Sequence, residues 1–439
     1  MTVVSRFAPS PTGRLHVGNI RTALHNYLFS KKHGGTFILR IDDTDRERST
    51  AEFDEAIRDD LDWMGLNPDK VVRQSERFDL YEREFDRLKQ AGRVYACYET
   101  PEELELRRKV LLGRGLPPVY ERKADDASVP EGRAPHWRFK LDHDRPIVID
   151  DLIRGEQRFD PKLLSDPVVR REDGSWLYLL PSVIDDIDLQ VTHVVRGEDH
   201  VTNSATQTQM FEALGAQPPR FAHEALLVAA EGKLSKRLGS YGAEHLRAEG
   251  VEPMAMLSVL ARIGTSQPVE PVATLDELAD GFDFATFGRA PAHFDPKDVE
   301  LVNARLLHKL DYAAVKHELP VSATEEDWLL LRPNLERISD FETWFAVLHG
   351  DVDPPDLSHD ERLLLREGAA IAEKLDWAAE PWKALTGELR ESSGKKGRDL
   401  FHPLRLALTG RESGPEMAGL VARMGRERAV RRLEAAARR

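Results

Sequence analysis

The sequence predicts a mixed α/β protein that begins with a parallel sheet and finishes with a long all-helical region. Residues 1–45 alternate strand, helix and strand, residues 95–181 carry short strands broken by Pro and Gly, and a helical period runs on from residue 299. A strand–helix–strand unit implies parallel strands that bind ligands at their carboxyl ends. Because 439 residues are too many for one compact core, several domains are expected.

The first strand–helix–strand unit is marked by its apolar runs and its glycines. Strands are predicted over 3–7 and 36–41, with a helix over about 17–32 between them and a Gly34-Gly35 turn before the second strand. A charged helix is then predicted by apolar residues at helical spacing, namely Phe53, Ile57, Leu61 and Met64.

The stretch from about 95 to 181 is interpreted as an insertion into the parallel-sheet domain. Its strands are predicted over 137–141, 147–153 and 168–170. A strand over 192–196 and a helix from about 204 to 214 return to the first pattern. Further along the chain, linkers are predicted at 351–358 and 392–398, where Pro, Gly and Ser accumulate.

Composition is that of a soluble, reducing-compartment protein. The chain is 41% apolar and 31% charged, and no run approaches the roughly 18 apolar residues of a membrane span. No signal peptide is recognised, and the single Cys97 excludes a disulfide framework, so a cytoplasmic location and no membrane partner are expected. The net charge of −14 argues against a generic polyanion binder, although arginines crowd the last part of the sequence and local patches decide binding.

A first candidate ligand site is the stretch RFAPSPTGRLHVGNIRTAL, residues 6–24. A Pro/Gly loop that leads into a helix N-terminus offers backbone N–H groups to an anion. Gly18 leaves room for a flat ring, and His16 adds a side-chain donor. Taken alone, the pattern favours a tight turn with a solvent-facing histidine.

A second candidate site is EGKLSKRLGS, residues 231–240, which sets Lys233, Lys236 and Arg237 around Ser235. Cations on such a loop can clamp a polyphosphate, although a solvated basic turn is the commoner fate of a short charge run. The two motifs together are stronger than either alone. The pair resembles the HIGH and KMSKS signatures of class I aminoacyl-tRNA synthetases.

Further motifs narrow this resemblance to the bacterial glutamyl-tRNA synthetases. FILRIDDTDRERS (37–49), VVRGEDHVTNSATQ (194–207) and KLSKR follow the first motif in the family's order. LRAEGVEPMAMLSVLARIGTS (246–266) and HPLRLALTGRESGPE (402–416) extend the match over essentially the whole chain. A nucleotidyltransferase with a HIGH-type motif and no tRNA substrate is the alternative, but it would lack the long helical tail.

The resemblance implies four regions. They are a Rossmann-like catalytic domain (1–94 and 182–230), an inserted α+β acceptor-stem-binding domain (95–181), a KLSKR loop with a stem-contact domain (231–305), and an α-helical anticodon-binding domain (306–439). Lys395, Lys396, Arg405 and Arg411 in the last region are expected to contact tRNA.

The resemblance also assigns the substrate contacts. The residues implied for L-glutamate are Arg6, Ala8, Ser10, Asp42, Tyr178 and Arg196. Two arginines suit two carboxylates and one aspartate suits one ammonium group. The residues implied for ATP are His16, Gly18, Asn19, Lys233, Ser235, Lys236 and Arg237, of which His16, Lys233 and Lys236 are implied to be catalytic.

The implied reaction has two steps. A glutamate carboxylate attacks the α-phosphorus of ATP and releases pyrophosphate, with Mg²⁺ on the phosphates, so that positioning and charge stabilisation supply the catalysis. Glutamate then passes to the 3′-terminal adenosine of tRNA(Glu), with tRNA(Gln) left open, and the enzyme is expected to be a monomer.

The sequence departs from the family pattern at three places. Asn19 replaces the last histidine of the HIGH motif, and its role is left open. Some relatives bind zinc through a C-x-C and a later C-x-H pair, whereas this chain reads Cys97-Tyr98-Glu99 and has no second cysteine, so no structural zinc is expected. Pro181 and Ser182 stand where many relatives have a polar amide region, which leaves the exact glutamate contacts open.

Overall fold

The computed structural model describes residues 2–122, 130–229 and 241–438. They form two compact units that divide between Val299 and Glu300. The strands are β1 Val4–Phe7, β2 Thr36–Ile41, β3 Lys70–Arg73, β4 Val94–Cys97, β5 His136–Phe139, β6 Ile147–Asp151, β7 Gly155–Phe159, β8 Val168–Arg170, β9 His193–Gly197, β10 Arg220–Glu224, β11 Leu227–Ala229 and β12 Ala292–Phe294.

The first unit is built on a five-stranded parallel sheet in the order β10-β9-β1-β2-β3. Its helices, with the one that holds the boundary, are α1 Val17–Lys32, α2 Ala51–Trp63, α3 Phe78–Gln90, α4 Pro101–Gly113, α5 Leu179–Asp188, α6 Val201–Ala213, α7 Ala243–Ala248, α8 Pro253–Arg262, α9 Leu275–Asp280 and α10 Pro296–Leu307. The predicted parallel sheet is therefore confirmed. Strand β2 is buried on both faces, as helix-covered parallel strands are.

Between β4 and β8 the chain adds two small antiparallel sheets. Strands β4, β5 and β8 form one sheet, and β6 and β7 form a hairpin. The hairpin joins the open edge of the parallel sheet, where the Leu152 N–H donates to the Phe221 carbonyl at 2.9 Å. The inserted chain thus reaches the strand that borders β9.

The second unit is helical. Its helices are α11 Tyr312–Val315, α12 Glu325–Leu331, α13 Asp340–His349, α14 His359–Lys374, α15 Pro381–Ser393, α16 Arg398–Thr409, α17 Met417–Met424 and α18 Arg426–Arg438. One hydrophobic core, centred on residues such as Trp328, Leu365, Leu404 and Leu433, holds them together. In the described residues, no helix is long and apolar enough to cross a membrane.

Candidate active site

A cavity of about 550 Å³ lies at the carboxyl ends of β1, β2, β9 and β10. Neighbouring parallel strands end at the same edge of a sheet, so side chains from distant parts of the sequence converge there. Every described residue predicted for glutamate or ATP lines this cavity, namely Arg6, Ala8, Ser10, His16, Gly18, Asn19, Asp42, Tyr178 and Arg196. The other predicted ATP residues, Lys233, Ser235, Lys236 and Arg237, lie outside the described residues.

The N-terminus of α1 forms one wall of the cavity. His16 caps this helix, because its Nδ1 accepts the Gly18 N–H at 3.1 Å and its own N–H donates to Asn19 Oδ1 at 3.4 Å. A Cβ on Gly18 would lie 3.1 Å from His16 Cε1, so the glycine lets the imidazole fold over the first turn. Burial lowers the pKa of His16, which leaves a neutral ring with its N–H at Nε2.

The described residues that flank 230–240 lie at the same wall. The Tyr241 carbonyl accepts the Val17 N–H at 3.0 Å, and Gly242 forms a β-bridge with His16. A Cβ on Gly242 would come within 2.1 Å of the Leu15 carbonyl oxygen, so this approach needs glycine. On the other side, Leu227 of β11 lines the cavity.

Arg196, the β9 arginine of the cavity, is held by neutral groups. Its Nη1 donates to the Tyr178 hydroxyl at 2.8 Å, and its Nη2 donates to Ser204 Oγ at 2.5 Å and Gln207 Oε1 at 2.6 Å. Within the described residues Arg196 forms no ion pair, and its Nε has no hydrogen-bond partner. Burial lowers the pKa of this guanidinium. A buried, uncompensated cation at a cavity wall is suited to an anionic ligand.

Arg6 and Asp42, which also line the cavity, belong to a buried network that the sequence did not reveal. Arg40 donates to both oxygens of Asp42, at 2.7 and 3.1 Å, and to Asp186 at 2.8 Å. Arg6 shares Asp186, with Nε at 3.1 Å from the carboxylate. Arg40 and Asp186 are buried and do not line the cavity, so they support Arg6 and Asp42 from behind its wall. A lone arginine in the apolar strand TFILRI was the available signal.

Asp42 carries a raised pKa in this network. Burial raises it, Arg40 opposes the rise, and the result is a pKa of about 6. Ser182, which the sequence analysis left open, accepts two hydrogen bonds from Arg40 through its hydroxyl and carbonyl oxygens. Ser182 is thus part of the support for Asp42.

A second cavity of about 750 Å³ adjoins the first. Both cavities are lined by Ser10, Asp42 and Tyr178. The second also has the aromatic residues Phe78 and Trp176, and its arginines are Arg46, Arg48 and Arg171. Its carboxylates outnumber these arginines and are Asp42, Asp45, Glu47, Glu82 and Asp173. Stacking on the aromatic side chains, with single arginines as phosphate contacts, is therefore how this chamber could hold a nucleotide.

A cluster of possible metal ligands lies away from both cavities. Donor atoms of Cys97, Glu99 and His136 lie within 4.8 Å of one another. The Tyr120 hydroxyl lies between two of them, 3.4 Å from Cys97 Sγ and 3.2 Å from Glu99 Oε1. The absence of structural zinc stays a prediction.

Comparison with known proteins identifies the class of protein. Residues 2–300 match the catalytic domain of class I tRNA synthetases (E and Q), and residues 322–437 match an anticodon-binding domain. The chain is therefore a class I tRNA synthetase. The alternative of a nucleotidyltransferase without a tRNA substrate is excluded by this membership.

The relatives are more specific. Glutamate–tRNA ligase 2 of Sphingopyxis alaskensis is 60% identical over 99% of both chains, and glutamate–tRNA ligase 1 of Rhizorhabdus wittichii is 60% identical over 99% of this chain and 100% of its own. A crystal structure of a glutamate tRNA ligase from Elizabethkingia meningosepticum in complex with its amino acid superposes with a TM-score of 0.84 at 30% identity, covering 100% of this chain and 99% of that one. The chain belongs to the bacterial glutamate–tRNA ligases.

Proposed function

We propose that the 550 Å³ cavity binds L-glutamate and ATP, forms glutamyl-adenylate and pyrophosphate, and then transfers glutamate to the 3′-terminal adenosine of tRNA(Glu). The observation that carries this proposal is the position of Arg196. Its buried cation, with no described carboxylate partner, shares a cavity with His16 and the positive end of the α1 helix dipole. One element attracts a carboxylate and the other a phosphate.

In this proposal the amino acid lies between β1, β2 and β9. Arg196 and Arg6 bind its two carboxylates, and the ionised Asp42 accepts its α-ammonium group. Ala8 and Ser10, on the loop after β1, line the same pocket. Tyr178 fixes the Arg196 guanidinium by the 2.8 Å hydrogen bond and borders both cavities.

ATP lies over the first turn of α1. His16 offers Nε2–H to a phosphate, and Gly18 contributes to the ATP site by leaving room for the His16 imidazole over the first turn. Asn19 lines the cavity and also caps the helix. Lys233, Ser235, Lys236 and Arg237 complete the phosphate site in this proposal. Its support is that the residues on both sides of 230–240 lie at the cavity wall.

Mg²⁺ is expected to arrive on the phosphates. Three carboxylates line the cavity: Asp42 is bound by Arg40, Glu224 lies 2.6 Å from His25 Nδ1, and Asp199 alone is largely exposed. Such a donor set fits a cation carried by the nucleotide better than one held in a protein cage. When bound, Mg²⁺ neutralises phosphate charge.

The second cavity is proposed to receive the acceptor end of the tRNA. The shared residues Ser10, Asp42 and Tyr178 put the two cavities side by side. A terminal adenosine in the second cavity could present its ribose hydroxyl to an adenylate in the first. In the helical unit, Lys396 and Arg411 are exposed, Lys395 is half-buried, and Arg405 donates to the Pro415 carbonyl at 3.0 Å. Contacts of all four with the anticodon region stay predictions.

The direct test is ATP-dependent charging of purified tRNA(Glu) and tRNA(Gln) with labelled glutamate. Charging of tRNA(Glu) is expected, and the tRNA(Gln) result shows whether the enzyme discriminates. Failure with both would refute the proposal. A Lys236→Ala variant should lose adenylate formation while it still binds tRNA in a filter assay. Light scattering on the free enzyme tests whether it is a monomer, as expected. The proposed cytoplasmic location is consistent with a tRNA substrate.

A further inference from the structure

A line of buried hydrogen bonds leads from Arg196 to the inserted hairpin. Ser204 Oγ of α6 accepts from Arg196 and lies 2.7 Å from His223 Nε2, on β10. His223 Nδ1 lies 2.6 Å from Asp151 Oδ2, at the end of β6. His223 and Arg196 are paired across neighbouring parallel strands. All four side chains are 5% exposed or less.

The partners of Asp151 fix the direction of the hydrogen bonds. Its carboxylate accepts the backbone N–H groups of Ile153 at 3.0 Å, Arg154 at 2.8 Å and His223 at 3.1 Å. Burial alone would raise the pKa of Asp151, but these bonds and the imidazole lower it. Asp151 is therefore ionised and can only accept from His223 Nδ1.

The remaining proton positions follow from that carboxylate. Burial lowers the pKa of His223, with Asp151 opposing the effect, and a neutral ring with its proton on Nδ1 must accept at Nε2. The Ser204 hydroxyl then donates to Nε2, which leaves its oxygen lone pairs to accept from Arg196. The His200 carbonyl is a second acceptor for the Ser204 hydroxyl, but it lies farther away, at 3.3 Å against 2.7 Å for His223 Nε2. With the hydroxyl donating to Nε2, the observed orientation of Arg196 satisfies the whole line.

These three residues are spaced as in a Ser-His-Asp nucleophile, but the surroundings exclude that role. Ser204 is fully buried and is not among the residues lining the cavity. Its oxygen is also committed to a guanidinium 2.5 Å away. A substrate carbonyl could not reach it without loss of the Arg196 contact.

We propose that Asp151, His223 and Ser204 are positioning residues that hold Arg196 ready for the carboxylate of glutamate. This inference rests on the proposed function, in which Arg196 binds that carboxylate. It means that the glutamate pocket is oriented from the inserted hairpin, since Asp151 belongs to β6. Arg154 of the same turn adds a second link, through an ion pair of 2.6 Å with Glu198 just after β9.

The test is a double-mutant cycle on the full-length enzyme with Ser204→Ala, His223→Asn and the pair. Asn keeps a donor for Asp151 but cannot reach Ser204. Each single variant should raise the KM for glutamate about tenfold, the typical effect of one buried hydrogen bond, with the KM for ATP within about twofold of the parent. The double variant should match one single variant, because both break the same line.

His193→Asn is the matched control, since His193 lies on the same strand as Arg196 but its Nδ1 contacts Thr192 Oγ1 at 2.8 Å. It should leave both KM values unchanged. Three results would overturn the inference. They are additive effects of the two substitutions, equal changes in the KM for glutamate and the KM for ATP, and an unchanged KM for glutamate in correctly folded variants. The variant Arg196→Gln separates the two proposals. If it leaves the KM for glutamate unchanged, the proposed role of Arg196 fails. If it raises this KM while the Ser204 and His223 variants leave it unchanged, only the positioning role of Ser204 and His223 is refuted.

Discussion

At the scale of single residues, the cavity holds its charges in two ways. The carboxylate of Asp42 is already bound on both oxygens by Arg40. The guanidinium of Arg196 is supported by a hydroxyl, a serine and an amide, with no ion pair in the described chain. The ammonium group of glutamate would therefore meet a carboxylate that already has a cation partner. The carboxylate of glutamate would neutralise an arginine that has no such partner. The second interaction should contribute more to affinity.

The raised pKa of Asp42 predicts a pH dependence of glutamate binding. With a pKa of about 6 against an ordinary 3.8, the acceptor of the ammonium group is lost as the pH falls through 6. The KM for glutamate should rise about tenfold between pH 7 and pH 5. Asp42→Asn should bind glutamate weakly and show no such slope.

The control for this pH profile is Asp43→Asn, because Asp43 is adjacent in sequence but bonds to Ser75 Oγ at 2.6 Å. This variant should keep the parental profile. A parental KM that is flat from pH 7 to pH 5 would contradict the assignment of Asp42.

The positions of Arg6 and Asp42 at the cavity were predictable because the resemblance to the glutamyl-tRNA synthetases assigns both to one pocket, and their roles in binding stay a proposal. Arg40 was not predictable, since its burial depends on Asp186 and Ser182, which lie more than a hundred positions away on α5. His223 was not predictable for the same reason, because an isolated histidine in a strand does not indicate its contact with the Asp151 carboxylate.

At the scale of elements, the first helix shows how a local signal fixes structure. The sequence predicts a helix over 17–32 and a strand over 36–41, and α1 and β2 have these bounds. Strand β6 ends at Asp151, not at 153 as expected, because the Asp151 carboxylate accepts the next backbone N–H groups and turns the chain.

The cap of α1 yields a prediction for Asn19. Asn19→Ala removes one bond of the capping box and should cost about 0.5–1 kcal/mol of stability. The KM for ATP should change less than in His16→Ala, which removes both the cap and the proposed phosphate donor. Thermal unfolding and pyrophosphate exchange measure the two effects. If Asn19→Ala loses as much activity as His16→Ala, Asn19 contacts ATP directly.

In the helical unit, Asp327 connects α12 to α17. It accepts from Arg423 Nε at 2.8 Å and lies 3.0 Å from His349 Nε2. Burial opposes these partners, but together they lower the pKa of Asp327. Its contribution to stability is thus present above its ordinary pKa and is lost as the pH falls through the lowered value.

Asp327→Asn should destabilise the enzyme by about 3 kcal/mol at pH 7, since it leaves a cation without its buried partner. The deficit should shrink below pH 4, where unfolding by denaturant can follow it. Glu326→Gln is the control: Glu326 binds the same arginine, at 2.6 Å, but is 77% exposed, so its loss should cost at most about 1 kcal/mol. Equal losses would contradict the role given to burial.

At the scale of the whole molecule, the arginine-rich end has a structural role that composition did not predict. Arg432 is buried and donates to the carbonyls of Leu408, Val347 and Gly350. Arg426 and Arg428 likewise bind carbonyls at helix ends. From the sequence alone such arginines are interpreted as surface charge, because the carbonyls that they cap belong to other helices.

Contact with tRNA is therefore expected from the lysines and arginines that stay exposed in the helical unit. Lys396→Glu should raise the KM for tRNA at least threefold at low salt, with a smaller effect at higher salt, while the KM for ATP stays constant. Lys383→Glu is the control, as Lys383 is 78% exposed and paired with Glu380 on the neighbouring turn. Equal effects of the two variants would indicate general charge attraction and no specific contact.

The packing of α18 has a consequence for how the protein is made. Its residues Ala429, Leu433 and Ala436 are buried in the core of the helical unit, and Arg432 bonds to three carbonyls of two earlier segments. During synthesis that core cannot close until α18 has left the ribosome, whereas the sheet of the first unit is already complete. The protein should thus pass through a stage with a folded catalytic unit and an open helical one, in which the apolar faces of the helices are exposed to solvent.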